Sequence, residues 1–352
     1  MRHTIQIHMT NKCNLKCEYC YINQNSEELN FDLLKKQINN VEILSKKLDD
    51  SFNGEYDITY FGGEPLLKFN DILKFDNYIC DVLDVKRKFI QTNGIELTKD
   101  KVNILSNNNI NIGISCDGCS DKNHTFIENL YHENVVSMQP KMMVDGYNVK
   151  NMMKNILYFF DIAIKNNNQS FYIDVSFVKD DVWNKQSLDE LKKQLNQLHD
   201  FIIDCYAHTG FLLCIGFVDR IIQNIVYGKR DFICFAGKNG FSITPSGIIY
   251  PCSRFYSSDK YKLYDSNIDK FYYDTIKYIR EHNNTENEKC CNCSIKKYCN
   301  QGCYFSQLEK GDVIEEFCQV MRMSFKMVSN LYKDMKNRFN VDIVEERSKI
   351  LR

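Results

Sequence analysis

Short segments with strand-like alternation and longer segments of helical periodicity follow one another through the first two-thirds of the chain. The strand-like segments are residues 3–10, 56–65, 86–94, 110–118, 140–146 and 171–178. Apolar residues recur at helical spacing in 26–48, 98–107 and 148–167, and Ser26 is in position to cap the first of these helices. Strand–helix units in series predict an α/β fold, a partial (β/α)6 TIM-like barrel with its chemistry at the C-terminal strand ends.

The alternation stops near residue 230, where the cysteines begin to cluster. The last part, 320–339, is an amphipathic helix whose apolar stripe is expected to pack in the core rather than bind a partner. We therefore predict a barrel over 1–230, a small cysteine-rich α+β domain over 231–320, and a C-terminal helix and tail over 321–352.

Charge and cysteine content narrow the class of protein. The 352 residues carry 45 Lys and Arg against 46 Asp and Glu, so no basic field favours nucleic acid or an anionic membrane. No apolar run approaches a membrane span of about 20 residues, and the N-terminus is not a signal peptide. We expect a cytoplasmic protein, in which 16 cysteines indicate metal ligands or catalytic thiols rather than disulfides.

Three cysteines, Cys13, Cys17 and Cys20, follow the first predicted strand at the spacing C-x3-C-x2-C. Three thiolates on a four-iron cluster leave one iron without a protein ligand, which is the open position that chelation of a cofactor needs. The alternative from spacing alone is a zinc loop that takes a fourth ligand such as His3 or His8.

The motifs at four strand ends resemble those of the radical S-adenosylmethionine (SAM) superfamily. They are the cysteine loop with Tyr19 before its third cysteine, FGGEP (61–65), QTNG (91–94) and the segment from Ser115 to Gly118. The resemblance implies that SAM chelates the open iron of a [4Fe–4S] cluster and yields a 5′-deoxyadenosyl radical.

The same resemblance implies how the cofactor is held. Gly62 and Gly63 would admit the methionine end of SAM, and Glu64 would pair with its amine. The other contacts would come from Tyr19, Asn93 and Ser115. Relatives usually place an arginine about a dozen residues after this serine, but 119–130 contains none, so the partner of the SAM carboxylate stays open.

The later cysteines resemble the seven-cysteine SPASM domain of peptide-modifying radical SAM enzymes. The resemblance implies two auxiliary [4Fe–4S] clusters, three in all with the first. One would be held by Cys234, Cys252 and Cys303, with an open iron or a further ligand such as Asp231. The other would be held by Cys290, Cys293, Cys299 and Cys318. Cys291 is expected to be a spectator, and two zinc sites are the alternative for the region.

Two leftover cysteines, Cys116 and Cys119, flank Asp117-Gly118 at a predicted strand end. A thiol at that place could donate a hydrogen atom to a substrate radical, as an epimerase needs. A role in filling the core is favoured over this catalytic one.

The leading hypothesis is an enzyme that crosslinks a ribosomal precursor peptide through a thioether, C–C or C–O bond. The runner-up is an anaerobic sulfatase maturase that makes formylglycine, but that group places an acidic residue where Ser253 follows Cys252. A peptide epimerase comes third, and an iron–sulfur electron carrier would leave the Gly-Gly-Glu-Pro segment unexplained.

The expected partners follow from the leading hypothesis. An electron donor such as flavodoxin or ferredoxin would reduce the first cluster. Only twelve residues precede Cys13, so we expect either a separate leader-recognition protein or direct binding of the leader by the barrel.

Overall fold

The computed structural model describes residues 1–17, 20–48, 51–119, 138–165, 172–180, 182–228, 234–284 and 287–350. Its strands are β1 His3–His8, β2 Glu55–Phe61, β3 Asp84–Thr92, β4 Ile110–Ser115, β5 Met138–Val144, β6 Tyr172–Phe177, β7 Cys214–Ile215, β8 Gly240–Ile243, β9 Ile248–Tyr250, β10 Tyr264–Asp265 and β11 Lys270–Phe271. Its helices are α1 Phe31–Leu48, α2 Phe69–Val82, α3 Lys99–Asn107, α4 Met152–Lys165, α5 Lys185–Thr209, α6 Gly216–Tyr227, α7 Tyr273–Asn284, α8 Glu288–Cys291, α9 Tyr304–Lys310, α10 Glu315–Phe339 and α11 Ile343–Ile350.

The chain divides into two compact units. Unit 1 combines residues 1–113 with 234–285, and unit 2 combines 114–233 with 286–352. The predicted division at residues 230 and 320 follows composition and motifs, and it stays a prediction.

Unit 1 is built on a sheet in which β1 lies between β2 and β8 and runs parallel to both. β3 continues the parallel side beyond β2, while β9, β10 and β11 extend the other side as antiparallel strands. Ile5, Ile7 and Ile58 are fully buried in this sheet. The C-terminal ends of β1, β2 and β3 therefore lie side by side, which brings their following loops together.

Unit 2 carries β5, β6 and β7 as a parallel series. Helix α6 follows β7 directly, and α5 packs against the long helix α10. The six predicted strand segments all contain strands, and the predicted α/β fold with parallel strands is confirmed. No helix in the described ranges is long and apolar enough to span a membrane.

Two helix starts differ from the sequence prediction. Helix α1 begins at Phe31, and the side chain of Asn30, not Ser26, accepts the Leu33 N–H at 2.8 Å. Residues before Asn30 pair with the cysteine loop instead, because Leu29 N–H donates to Met9 C=O at 3.0 Å. Helix α10 begins at Glu315 rather than at residue 320, so Cys318 lies in its first turn.

Candidate active site and iron–sulfur centres

The first cysteine cluster lies on a loop that leaves the end of β1. Asn11 N–H donates to Glu27 C=O at 3.0 Å, which ties the start of the loop to its return segment. Cys20 N–H donates to Cys17 C=O at 3.1 Å, so these two residues close a turn. Cys17 and Cys20 are exposed and Cys13 is half-buried. Two of the three thiols are therefore accessible to a cluster that arrives from solvent.

The charge state of Cys13 depends on its burial and on neighbouring groups. Burial raises the pKa of Cys13 above its usual range, and the nearby Cys20 raises it further. The Leu15 N–H, 3.4 Å from the Cys13 Sγ, lowers this pKa because it stabilises the thiolate. A three-cysteine loop in which Cys13 receives a backbone N–H and lies near Cys20 fits the donor set that a [4Fe–4S] cluster needs. Tyr19 lies outside the described residues.

Gly62 and Gly63 lie against the backbone of the cysteine loop. A Cβ on Gly63 would come within 2.1 Å of the Lys12 carbonyl oxygen, and one on Gly62 within 2.5 Å of the Thr10 oxygen. Gly63 N–H donates to Thr10 C=O at 2.8 Å, and the next N–H, of Glu64, donates to Lys12 C=O at 2.8 Å. Both glycines are thus required for the loops to meet, in addition to any approach to SAM.

Glu64 is held by hydrogen bonds from the end of β3 and from its own turn. Its carboxylate is fully buried and accepts hydrogen bonds from the Thr92 hydroxyl at 2.7 Å, Asn93 N–H at 2.8 Å and Leu66 N–H at 3.0 Å. Burial raises the pKa of Glu64 and these donors lower it. The side chain thus fixes the end of β3. Three donors leave acceptor capacity on a carboxylate, and the pairing of Glu64 with the cofactor amine stays a prediction.

Asn93 is the residue that Glu64 positions. Its Nδ2 donates to Asn14 Oδ1 at 2.7 Å and lies 3.8 Å from the Cys13 Sγ. Its Oδ1 accepts the Ile95 N–H at 3.0 Å. The predicted polar residue at the end of β3 therefore contacts the cysteine loop directly.

A further group of residues beside the cysteine loop was not predicted from the sequence. The Tyr21 and Ser253 hydroxyls are 2.7 Å apart, and the Arg254 guanidinium lies 4.9 Å from the centre of the Tyr21 ring. Burial raises the pKa of Tyr21, and the Cys252 and Cys20 thiols raise it further. Tyr21 thus lies near Cys20 of the first cluster's loop and Cys252 of the first auxiliary set. This group could have been found from the sequence, because Tyr21 directly follows Cys20 and Ser253 directly follows Cys252.

The predicted residues at the end of β4 belong to unit 2. Cys116 is buried, and its Sγ accepts the Gly118 N–H at 3.4 Å within its own turn. Cys119 is half-exposed, with its Sγ 3.5 Å from Asn155 Oδ1. Ser115 ends the strand and is partly exposed. Cys119 is the more accessible of the two candidate hydrogen donors. The segment 120–130, where an arginine was sought, lies outside the described residues.

Four predicted ligands, Cys290, Cys293, Cys299 and Cys318, line one cavity of about 30 Å³ in unit 2. Burial raises the pKa of Cys318 to about 11, with Cys299 and Cys290 among the further causes. In the described ranges no three His, Cys, Asp or Glu side chains are close enough to share a single metal ion. The four thiols that line this cavity match the four-cysteine donor set of a [4Fe–4S] cluster.

The remaining predicted ligand set is divided between the units. Cys234 and Cys252 belong to unit 1, and Cys303 immediately precedes α9 in unit 2. All three are half-buried. The suggested fourth ligand, Asp231, lies outside the described residues, so this set stays a prediction. Cys291 is exposed, and its Sγ contacts the Asn287 carbonyl oxygen at 3.7 Å, away from the cavity lining.

Comparison with known proteins gives relatives that match most of this chain. A cysteine-type anaerobic sulfatase-maturating enzyme of Clostridium perfringens is 24% identical over 89% of this chain and 92% of its own length. The radical SAM cyclopropyl synthase TigE of Paramaledivibacter caminithermalis is 24% identical over 97% of this chain and 76% of its own length.

Solved structures show the same fold. Hexahistidine-tagged anSMEcpe with bound AdoMet superposes with a TM-score of 0.72 at 19% identity, covering 99% of this chain and 98% of that one. Native anSMEcpe with bound AdoMet and the Cp18Cys peptide gives a TM-score of 0.71 at 20% identity, covering 96% and 99%.

A sequence profile described as "Radical SAM superfamily" matches residues 7–183, which is half of the chain. The matched range contains the cysteine loop, the Gly62-Gly63 turn and Asn93, the same residues that meet at the ends of β1, β2 and β3. The predicted family is therefore confirmed: the chain belongs to the radical SAM superfamily, with S-adenosylmethionine and [4Fe–4S] chemistry as its cofactors.

Proposed function

We propose that this enzyme modifies a ribosomally made peptide by an oxidative crosslink, a thioether, C–C or C–O bond. When bound, the first cluster and SAM would supply the 5′-deoxyadenosyl radical that takes a hydrogen atom from the peptide. The chain's part would be to orient the cofactor through the glycine turn and Asn93. The Glu64 carboxylate would hold Asn93 in place from behind.

The preference for crosslinking over formylglycine formation rests on the two residues that follow Cys252. Formylglycine formation requires a group that takes a proton from the substrate Ser or Cys side chain, and a carboxylate is suited to this. Here the Ser253 hydroxyl bonds to Tyr21, and the next side chain is the Arg254 guanidinium. A hydroxyl and a cation are poor proton acceptors, so this position favours a reaction other than sulfatase maturation.

The relatives support both the substrate class and a second candidate. The peptide in one solved structure supports a peptide substrate for this chain, and the cyclopropyl synthase supports a bond-forming reaction. The sulfatase-maturating relative covers most of the chain, which keeps formylglycine formation as the second candidate. A peptide epimerase would use Cys119 rather than the buried Cys116. The flavodoxin or ferredoxin donor, the leader-recognition protein and the three-cluster count remain part of the proposal.

The function is tested with anaerobically reconstituted protein, SAM and dithionite. One substrate is the short peptide encoded beside this chain's gene, and the other is a sulfatase-derived peptide with its Ser or Cys. We expect 5′-deoxyadenosine, and loss of two hydrogen atoms from the first peptide without a hydrazide-reactive aldehyde. Cys13→Ala should abolish 5′-deoxyadenosine formation, whereas Cys80→Ala, at an exposed cysteine outside the site, should not.

The outcomes separate the candidates. An aldehyde on the sulfatase-derived peptide would replace the crosslinking proposal by the second candidate. Deuterium incorporation from solvent at one α-carbon, with no loss of hydrogen, would favour an epimerase. Formation of 5′-deoxyadenosine by the Cys13→Ala protein would contradict the assignment of the first cluster.

A further inference from the structure

A second cavity, of about 350 Å³ and open to solvent, lies in unit 2. Its walls come from the end of β6, from α6, from the loop at 298–302 and from α10. The Asn224 side chain donates to the Tyr298 carbonyl at 2.8 Å, which fixes the loop against α6. Cys299 lines both this cavity and the one formed by the four thiols. A molecule bound here would therefore lie beside the second auxiliary centre.

Two buried polar atoms in this wall lack a hydrogen-bond partner. Ser324 is fully buried, and its hydroxyl has no partner among the residues that the structure describes. Asn300 Oδ1, on the facing loop, is likewise buried and unpartnered within the described ranges. Buried polar groups are nearly always hydrogen-bonded, because an unmade bond is costly. A hydroxyl and a carbonyl oxygen together offer both a donor and acceptors to a bound molecule.

The charged side chains that line the cavity, Lys179 and Arg220, are both positive. Arg220 is held in place by Asp174 at 2.9 Å and by Val175 C=O and the Ser176 hydroxyl, both at 3.1 Å. Lys179 forms no ion pair with any residue in the described ranges. With Arg220 compensated by Asp174, the Lys179 ammonium is the charge that a bound carboxylate would neutralise.

The rest of the wall is largely apolar and aromatic. Phe177 and Phe217 have ring centres 5.0 Å apart, and Phe317 and Met321 face the same space. A small inorganic anion would leave this apolar surface uncovered. A peptide segment would suit it better, because apolar side chains cover the aromatic wall while backbone N–H groups reach Asn300 Oδ1.

We propose that this cavity binds an acidic segment of the peptide substrate, with a carboxylate at Lys179 and backbone groups at Ser324 and Asn300. The proposal rests on the proposed peptide substrate, and it adds that the peptide carries Asp or Glu next to apolar residues. Seated against Cys299, the segment would be anchored beside the second auxiliary centre.

The test uses the full reconstituted protein and two peptides labelled with fluorescein at the N-terminal amine, fluoresceinyl-Gly-Glu-Phe-Glu-Leu-Gly-amide and its counterpart with Gln in place of both Glu. We expect saturable anisotropy with the Glu peptide and binding about tenfold weaker with the Gln peptide. Lys179→Gln should weaken binding of the Glu peptide about tenfold and that of the Gln peptide little. Lys336→Gln, at an exposed lysine near the end of α10, is the matched control and should change neither.

Ser324→Ala separates a binding role from a structural one. Removal of an unpartnered hydroxyl should leave the melting temperature of the free protein unchanged or raised, while binding of both peptides weakens. Equal binding of the two peptides, or a loss shared by Lys336→Gln, would overturn the proposal. So would undiminished binding to Ser324→Ala. Formation of 5′-deoxyadenosine from SAM without peptide is measured in parallel. A protein that cleaves SAM but does not bind the Glu peptide at this cavity would contradict this proposal and leave the radical chemistry unaffected.

Discussion

At the scale of single residues, Gly63 determines whether the glycine turn and the cysteine loop can meet. Its Cβ position is 2.1 Å from the Lys12 carbonyl oxygen and 2.6 Å from the Lys12 carbonyl carbon, both backbone atoms that no side-chain rotation can move. We expect Gly63→Ala to displace the loop before Cys13, lowering iron bound by the first cluster and 5′-deoxyadenosine formation at least about tenfold, because misplacing a reactive group by an ångström is costly. Iron analysis and chromatography of the products measure both.

The control is Gly54, a glycine at which an added methyl group would meet no other atom. Gly54 has φ +82° and nothing within 4 Å of the place that an added methyl group would take, so Gly54→Ala adds only backbone strain, about 1–2 kcal/mol. If Gly63→Ala retained the iron content and turnover of Gly54→Ala, the close contact would not be needed for the site.

Glu64 shows which features of a single residue can be predicted from the sequence and which cannot. The motif around it predicts the turn and its place after β2, and both are found. The sequence does not reveal that Thr92, Asn93 and Leu66 converge on the carboxylate, since two of them come from the next strand end. A side chain's partner depends on tertiary contacts, whereas its place on a strand end depends on local pattern.

At the scale of elements, α10 serves two purposes along its length. Its first turn carries Cys318, and its later turns bury Val328, Leu331 and Met335. The apolar stripe, predicted to pack in the core, packs against α5, where the His199 ring nitrogen and Asp334 lie 3.1 Å apart. The helix thus links the thiol cavity to the core of unit 2.

We expect Leu331→Ala to lower the free energy of unfolding of unit 2 by about 2–5 kcal/mol, because Leu331 is fully buried and the change leaves a cavity. Along the helix, Leu331 is about 20 Å from Cys318 at 1.5 Å per residue, so iron content without denaturant should not change. Urea unfolding followed by circular dichroism measures the shift. Lys333→Ala, on the exposed side, should stay within about 0.5 kcal/mol. Equal stability of the two variants would place the stripe outside the core.

Periodicity predicted the six principal strands because each has several alternating or apolar positions. It missed the five short strands that follow: β7, β10 and β11 have two residues each and therefore no period to detect, and β8 and β9 have only four and three. It also missed that β8 pairs with β1, with Ile5 opposite Phe241, because that contact joins residues far apart in the sequence. The early start of α10 was hidden by the polar residues Glu315 and Glu316, which suit a helix N-terminus but carry no apolar signal.

At the scale of the whole molecule, the cysteine-rich region contributes to both compact units. Cys252 raises the pKa of Tyr21 in unit 1, beside the first cluster's loop. Cys290, Cys293, Cys299 and Cys318 line their cavity in unit 2. Substitution of the cysteines that line the cavity in unit 2 should therefore remove the second auxiliary cluster and leave the SAM-binding cluster intact. Cleavage of SAM and assembly of the second auxiliary cluster are thus expected to be separable.

Neighbouring cysteines provide the sharpest test of that separation. Cys290 lines the thiol cavity, whereas Cys291 is exposed and does not line it. Three four-iron clusters give about twelve irons per chain. We expect Cys290→Ala, combined with Cys293→Ala, to bind about eight irons and still form 5′-deoxyadenosine from SAM. Cys291→Ala should keep about twelve. Iron and sulfide analysis of anaerobically reconstituted protein measures the counts.

If Cys291→Ala lost iron as the double variant does, the ligand would be Cys291 rather than Cys290. If the double variant also stopped forming 5′-deoxyadenosine, the two centres would not be independent.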